Sequence, residues 1–70
     1  MNSYSIVFVP TEGEPGTKIG ECEEYKDAFK IMSTYMKNVL HTEPGHYRSF
    51  NVEKYIKLIN GKYIFHLYKN

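Results

Sequence analysis

The chain has 70 residues, a formal net charge of +1 and one cysteine. This length allows a single small domain, residues 1–70, with a small hydrophobic core, and it excludes a second domain. The lone Cys22 excludes an intramolecular disulfide, and the small net charge excludes a strongly basic nucleic-acid binder or an acidic nucleic-acid mimic.

The N-terminal sequence MNSYSIVFVPTEG indicates the compartment. It has no basic segment ahead of its apolar residues, and the apolar run at 6–9 is too short for a signal peptide or a membrane-spanning helix. A single cysteine suits a reducing compartment. We therefore expect a soluble, cytoplasmic protein without a membrane partner.

Charge is unevenly distributed along the chain. Residues 1–35 hold six acids and three lysines, a net charge of −3. Residues 36–70 hold six basic residues and two acids, a net charge of +4. The first half is therefore acidic and the second half basic, which gives a dipolar chain.

The first predicted element is a strand over Tyr4–Val9, where β-branched and aromatic residues run up to Pro10. Apolar side chains point to both sides of it, which indicates a central strand or one whose second face is covered. The sequence PTEGEPG at 10–16 predicts a loop. Thr17–Cys22 is a further candidate strand that would return beside the first, and Gly20 weakens it.

Residues 23–41 predict a helix. Their apolar side chains recur at helical spacing. Acidic residues crowd the start, while Lys37 and His41 lie near the end, in agreement with the helix dipole. The sequence TEPG at 42–45 ends the helix. The apolar stripe consists of Tyr25, Ala28, Phe29, Met32, Tyr35, Met36, Val39 and Leu40.

Residues 52–69 predict a β-hairpin. Asn60-Gly61 separates two apolar runs and is a preferred pair for a two-residue type I′ turn, which would place Ile59 opposite Lys62. The predicted core face of this hairpin consists of Val52, Ile56, Leu58, Tyr63, Phe65 and Leu67. Its predicted second face consists of Tyr55, Lys57, Ile59, Lys62, Ile64, His66 and Tyr68.

These elements predict an α+β fold with the order β(β)αββ. A small antiparallel sheet of three or four strands, with residues 47–50 as an extended lead into the hairpin, would carry one amphipathic helix on one face. The other face of the sheet would have no helix over it. That uncovered face includes the second face of the hairpin.

No catalytic, metal or cofactor site is predicted. His41 and His46 are five residues apart with Pro44-Gly45 between them, which does not fit the helical zinc motif. Cys22 lies among acids that disfavour a thiolate, and we interpret it as a structural thiol. The glycines before the helix match no phosphate-binding motif, and no nucleophile–base arrangement stands out. We therefore expect a protein that is not an enzyme.

The second face has three interpretations. Aromatic residues alternating with lysines are similar in chemistry to sheet surfaces on which nucleobases stack while lysines contact phosphates. Against this, arginine occurs only at Arg48 and the net charge is small. Tyrosines together with Ile59 and Ile64 fit a protein interface. Tyrosines and lysines can also simply solvate a sheet face.

The sequence thus favours a small non-catalytic binding protein that engages a protein, either another protein or a second copy of itself in a homodimer. Contact would be made through the second face and the edge of the C-terminal hairpin. Abundant Tyr, Lys and Asn are typical of accessory proteins of phages and mobile elements, many of which inhibit a host factor. The alternative is a nucleic-acid or nucleotide binder that uses Tyr55, Lys57, Lys62, His66 and Tyr68.

Overall fold

The protein is an antiparallel sheet with a helix packed across one face. The computed structural model describes residues 3–70. Within that range the elements are β1 (Tyr4–Val9), β2 (Thr17–Cys22), α1 (Tyr25–Asn38), β3 (Arg48–Asn51), β4 (Tyr55–Asn60) and β5 (Tyr63–Lys69). The strand order is β2-β1-β5-β4-β3, and every neighbouring pair is antiparallel. The α+β class is confirmed, but the order is ββαβββ, with five strands rather than three or four.

The additional strand is β3, a four-residue edge strand that the sequence indicated only as an extended segment. A tight turn of Glu53 and Lys54 joins it to β4. Across this turn the Val52 N–H donates to the Tyr55 carbonyl (2.8 Å), and the Tyr55 N–H donates to the Val52 carbonyl (3.3 Å). The prediction that Val52 belongs to the core is wrong because this residue lies at the turn, where it is 42% exposed.

The C-terminal hairpin turns one residue later than predicted. Asn60 faces Tyr63, which leaves Gly61 and Lys62 as the turn. Gly61 has a φ of 62° and Lys62 has no positive φ, the pattern of a type II′ turn rather than the predicted type I′ turn. The predicted pairing of Ile59 with Lys62 is therefore wrong. The register differs by two residues, a full period of the side-chain alternation, so the strand residues keep their predicted faces.

Helix α1 is shorter at both ends than the predicted span of 23–41. Glu24 precedes it in an extended conformation and makes no side-chain capping bond. Beyond its end, His41 adopts a φ of 53°, the left-handed conformation in which helices commonly stop. The left-handed residue after this helix is therefore a histidine and not the glycine that is usual at this position.

The hydrophobic core lies between α1 and the sheet. Its buried members are Ile6, Cys22, Ala28, Met32, Met36, Leu58, Phe65 and Leu67. The apolar stripe of the helix is confirmed at its centre, where three of these residues lie. The ends of the stripe are more open, because Tyr25 is 38% exposed and Val39 is 54% exposed.

Cys22 is a buried thiol at the end of β2. Its Sγ donates to the Glu24 carbonyl at 3.2 Å. Burial, and to a smaller extent the negative charge of Asp27, raise the pKa of the thiol. The interpretation of Cys22 as a structural residue is consistent with this environment, since a thiol in its neutral form is a poor nucleophile.

The strand order decides which backbone edges are free. β1 lies between β2 and β5, which confirms the prediction of a central strand. β4 lies between β5 and β3, so both strands of the C-terminal hairpin are interior and the expected free hairpin edge does not exist. Among residues 3–70, the outer strands of the sheet are β2 and β3.

Candidate functional site

The candidate site is the sheet face opposite the helix, which we call the second face. Cross-strand partners share a face in an antiparallel sheet, so the residues of this face form three rows across the strands. The rows are Val9–Ile64–Ile59–Arg48, Val7–His66–Lys57–Phe50 and Ser5–Tyr68–Tyr55–Val52. The first row is largely aliphatic and the other two are rich in rings.

The structure brings together six of the seven residues that the sequence assigned to this surface. Tyr55, Lys57, Ile59, Ile64, His66 and Tyr68 lie side by side on β4 and β5. Lys62 is the exception. It lies exposed in the hairpin turn with its Nζ 5.5 Å from the ring centroid of Tyr63, a residue of the core face. Lys62 therefore does not belong to the second face.

The loop between β1 and β2, residues 10–16, lies over part of this face. Val9 belongs to the second face and is only 4% exposed. The loop approaches β1 closely at Gly16, where an added Cβ would lie 2.5 Å from the Phe8 carbonyl oxygen. Glu12 reaches across to Lys57 and forms an ion pair with it at 2.5 Å. The second face is therefore partly covered rather than open. This cover explains why β1 has apolar residues on both of its sides.

Three rings form a cluster at the centre of the face. The Tyr55 and His66 rings are stacked with centroids 4.1 Å apart, and Tyr68 lies 5.2 Å from Tyr55 and 6.1 Å from His66. The Tyr68 hydroxyl is 3.5 Å from His66 Nδ1. All three side chains are half-buried. The three rings therefore contact one another and form one continuous aromatic surface.

The surroundings of His66 favour the neutral form of its ring. Burial lowers the pKa of His66, the positive charge of Lys57 lowers it further, and the negative charge of Glu12 opposes these effects. Lys57 is itself paired with Glu12. The lysine and histidine of this face therefore contribute little free positive charge.

A cavity of about 390 Å³ lies between the loop and the ring cluster. Its floor is formed by strands β1, β4 and β5, and its wall by the loop. The residues around it are Val7, Val9, Glu12, Gly13, Glu14, Pro15, Gly16, Tyr55, His66 and Tyr68. Ring surfaces and carboxylates therefore meet at one concave site.

The second face continues to the outer edge of β3. Phe50 is 42% exposed, and the guanidinium carbon of Arg48 lies 5.4 Å from the centroid of its ring. Val52 and Tyr55 exchange two backbone hydrogen bonds at the neighbouring turn. In an antiparallel pair the N–H and C=O groups of successive residues point alternately toward and away from the partner strand. The N–H and C=O groups of Ser49 and Asn51 therefore point away from β4. No strand within residues 3–70 pairs with this edge.

Sequence reasoning missed the loop and β3 as parts of this site. The apolar second side of β1 indicated that something covers it, but the sequence did not show that the cover is the loop at 10–16. The pair of Glu12 and Lys57 joins residues 45 positions apart, and no local pattern reports such a contact. Phe50 could have been found by its alternation with Arg48 once a strand was assigned there.

The described residues also bear on metal ligation and membrane insertion. Within residues 3–70, no three His, Cys, Asp or Glu side chains are grouped so that they could hold a metal ion. No helix of this part of the chain is both long and apolar enough to cross a membrane.

Comparison with known proteins gives no relative from which a function could be transferred. The chain matches no protein-family model, no curated protein and no solved structure.

Proposed function

We propose that the chain is a small non-catalytic interaction protein whose partner is a protein. The partner contacts the second face and the outer edge of β3. The proposal rests on one observation, which is that this surface is continuous. The ring cluster leads through Lys57 to the exposed Phe50 and then to unpaired backbone groups on β3.

The composition of the surface supports a protein partner. Aromatic residues and arginine are enriched at protein interfaces, and both occur here at the side of the face that the loop leaves uncovered. An edge strand with outward N–H and C=O groups can add a strand of the partner. By contrast, the opposite edge carries the ion pair of Lys18 with Glu21 and an irregularity in its pairing with β1, two features that protect an edge.

The charges disfavour the alternative of a nucleic-acid binder. Nucleic-acid affinity depends on free Lys and Arg side chains that neutralise phosphates. Lys57 is paired with Glu12, Lys62 lies away from the face, and Glu14 adds a further negative charge beside the rings. A phosphate backbone over this face would meet carboxylates.

The proposal is tested by one substitution on the surface. Phe50→Asp places a charge in the exposed part of the face without opening the core. We expect it to abolish dimer formation in sedimentation measurements, or capture of a partner from the native host, whichever the native chain shows. Ile64→Asp is less suitable because Ile64 is half-buried between Val9 and Ile59 and the fold itself would suffer.

Val39→Asp is the matched control because Val39 is 54% exposed and lies on the helical side of the molecule. It should leave association unchanged, and thermal unfolding should show that both variants are folded. Equal association by the native chain and Phe50→Asp would overturn the proposal. So would tight oligonucleotide binding that weakens steeply as salt rises, since that dependence is the signature of phosphate contacts.

A further inference from the structure

The cavity under the loop at 10–16 is the most enclosed feature of the second face. Tyr55, His66 and Tyr68 present ring surfaces to it, and Glu12 and Glu14 lie on its wall. Aromatic faces attract cations through the negative potential above the ring, and they do so most strongly where water is excluded. A site of rings and carboxylates together selects for positive charge.

The charges around the cavity also favour the binding of a cation. The negative charge of Glu12 is balanced by the positive charge of Lys57. At the β2 side of the face, the charges of Lys18 and Glu21 balance each other. Burial and the charge of Lys57 lower the pKa of His66, so this ring adds little positive charge at pH 7. Glu14 is then left as the carboxylate that gives the cavity a net negative charge.

We propose that this cavity receives a basic side chain of the partner protein, arginine in preference to lysine, with its guanidinium against the Tyr55–His66–Tyr68 rings and near Glu14. Arginine is preferred because its planar group stacks on aromatic faces and is more weakly hydrated than an ammonium. This inference rests on the proposed function, because the cation is supplied by a protein partner. It adds the chemistry by which that partner is recognised.

A model compound tests the cavity without knowledge of the partner. The chain is titrated with N-acetyl-arginine amide and, separately, with N-acetyl-citrulline amide, which has nearly the same shape and no charge. We expect saturable NMR shifts at the Gly13 and Gly16 amides and at the His66 ring with the arginine compound only. Binding of so small a ligand should have a dissociation constant in the millimolar range, about 1 mM or weaker.

Variants separate the contributions of charge and ring. Glu14→Gln should weaken binding of the arginine compound about two- to fivefold, as expected for one exposed ion pair. Glu43→Gln changes a carboxylate outside the cavity and should leave binding unchanged. Tyr68→Phe keeps the ring and should retain binding, whereas Tyr68→Leu should weaken it.

Equal shifts with the arginine and citrulline compounds would overturn the inference, because charge would then play no part. Shifts that are unaffected by Glu14→Gln and Tyr68→Leu would overturn it as well, since binding would lie elsewhere. If Phe50→Asp abolishes partner association while the cavity binds no arginine compound, the proposed function stands and this inference fails. Arginine binding by a chain that associates with no protein would overturn the proposed function and leave only the cation preference of the cavity.

Discussion

Asn60 ties the loop after α1 to the sheet through its side-chain amide. Its Oδ1 accepts from the Gly45 N–H and its Nδ2 donates to the Gly45 carbonyl, each at 3.2 Å. The residue is 5% exposed and is the last of β4. A buried amide that satisfies both backbone groups of another residue stabilises the native position of that residue.

Asn60→Ala should destabilise the fold, because both hydrogen bonds between the Asn60 side chain and the Gly45 backbone are lost. The expected loss in the free energy of unfolding is about 1–3 kcal/mol, measured by urea denaturation. Asn51→Ala is the control on the exposed edge strand, and its effect should stay within about 0.5 kcal/mol. Equal effects of the two substitutions would show that the bonds to Gly45 contribute nothing to stability.

His66 makes the stability depend on pH. Burial and Lys57 lower its pKa in the folded chain below the unfolded value of about 6.5. Between these two pKa values the unfolded state binds more protons, so stability rises with pH there. The contribution of His66 to the free energy of unfolding should therefore be fully present above about pH 6.5. It should decrease as the pH is lowered toward the pKa of His66 in the folded chain.

The test of this pH dependence compares urea unfolding of the native chain and of His66→Gln at several pH values from neutral to mildly acidic. The variant should show a smaller decrease in stability with falling pH. His46→Gln alters an exposed loop histidine and serves as the control that keeps the native slope. An unchanged slope in His66→Gln would contradict the assignment.

At the scale of elements, the helix and the faces of the strands could be predicted from the sequence. Helical spacing placed Ala28, Met32 and Met36 on the buried side, and all three are buried. The alternation of side chains along β4 and β5 separated Leu58 and Phe65 from the second face, as the structure confirms. Local periodicity decides these features, so a single sequence reports them.

The turn and the cover of the second face could not be predicted in the same way. Asn60-Gly61 satisfies the preferences of a type I′ turn, but the side chain of Asn60 is buried and hydrogen-bonded to Gly45, and Asn60 is the last residue of the strand. The loop at 10–16 contacts the second face through the ion pair of Glu12 with Lys57 and through the close approach of Gly16 to β1. Both outcomes are set by contacts between distant residues, which local propensities do not contain.

Gly16 is the element-scale test of the covering loop. A Cβ at this position would lie 2.5 Å from the Phe8 carbonyl oxygen, so Gly16→Ala must move the loop away from β1. We expect a loss of about 1–3 kcal/mol in the free energy of unfolding and faster hydrogen exchange in the loop. Gly45→Ala is the control because its nearest atom, Asn60 Oδ1, would be 3.7 Å away. Equal stability of Gly16→Ala and the native chain would contradict close packing of the loop.

At the scale of the whole molecule, the two faces of the sheet differ in how they are covered. One face is filled by the helix and forms the core. The other is covered by a loop at the β1 side and left accessible toward β3, where Phe50 and Val52 are each 42% exposed. The acidic first half of the sequence and the basic second half meet on this face through Glu12 and Lys57. Its uneven cover leaves a defined accessible region, where we propose that the partner binds.

We propose that a protein partner binds the uncovered part of the second face and the outer edge of β3. The most direct measurement is amide hydrogen exchange of the chain alone and in its complex, either a homodimer at high concentration or the captured partner. We predict slower exchange at Ser49 and Asn51, whose N–H groups point outward, while the helix is unaffected. Slowing confined to residues 30–39 of the helical side, or no slowing at β3, would contradict the claim.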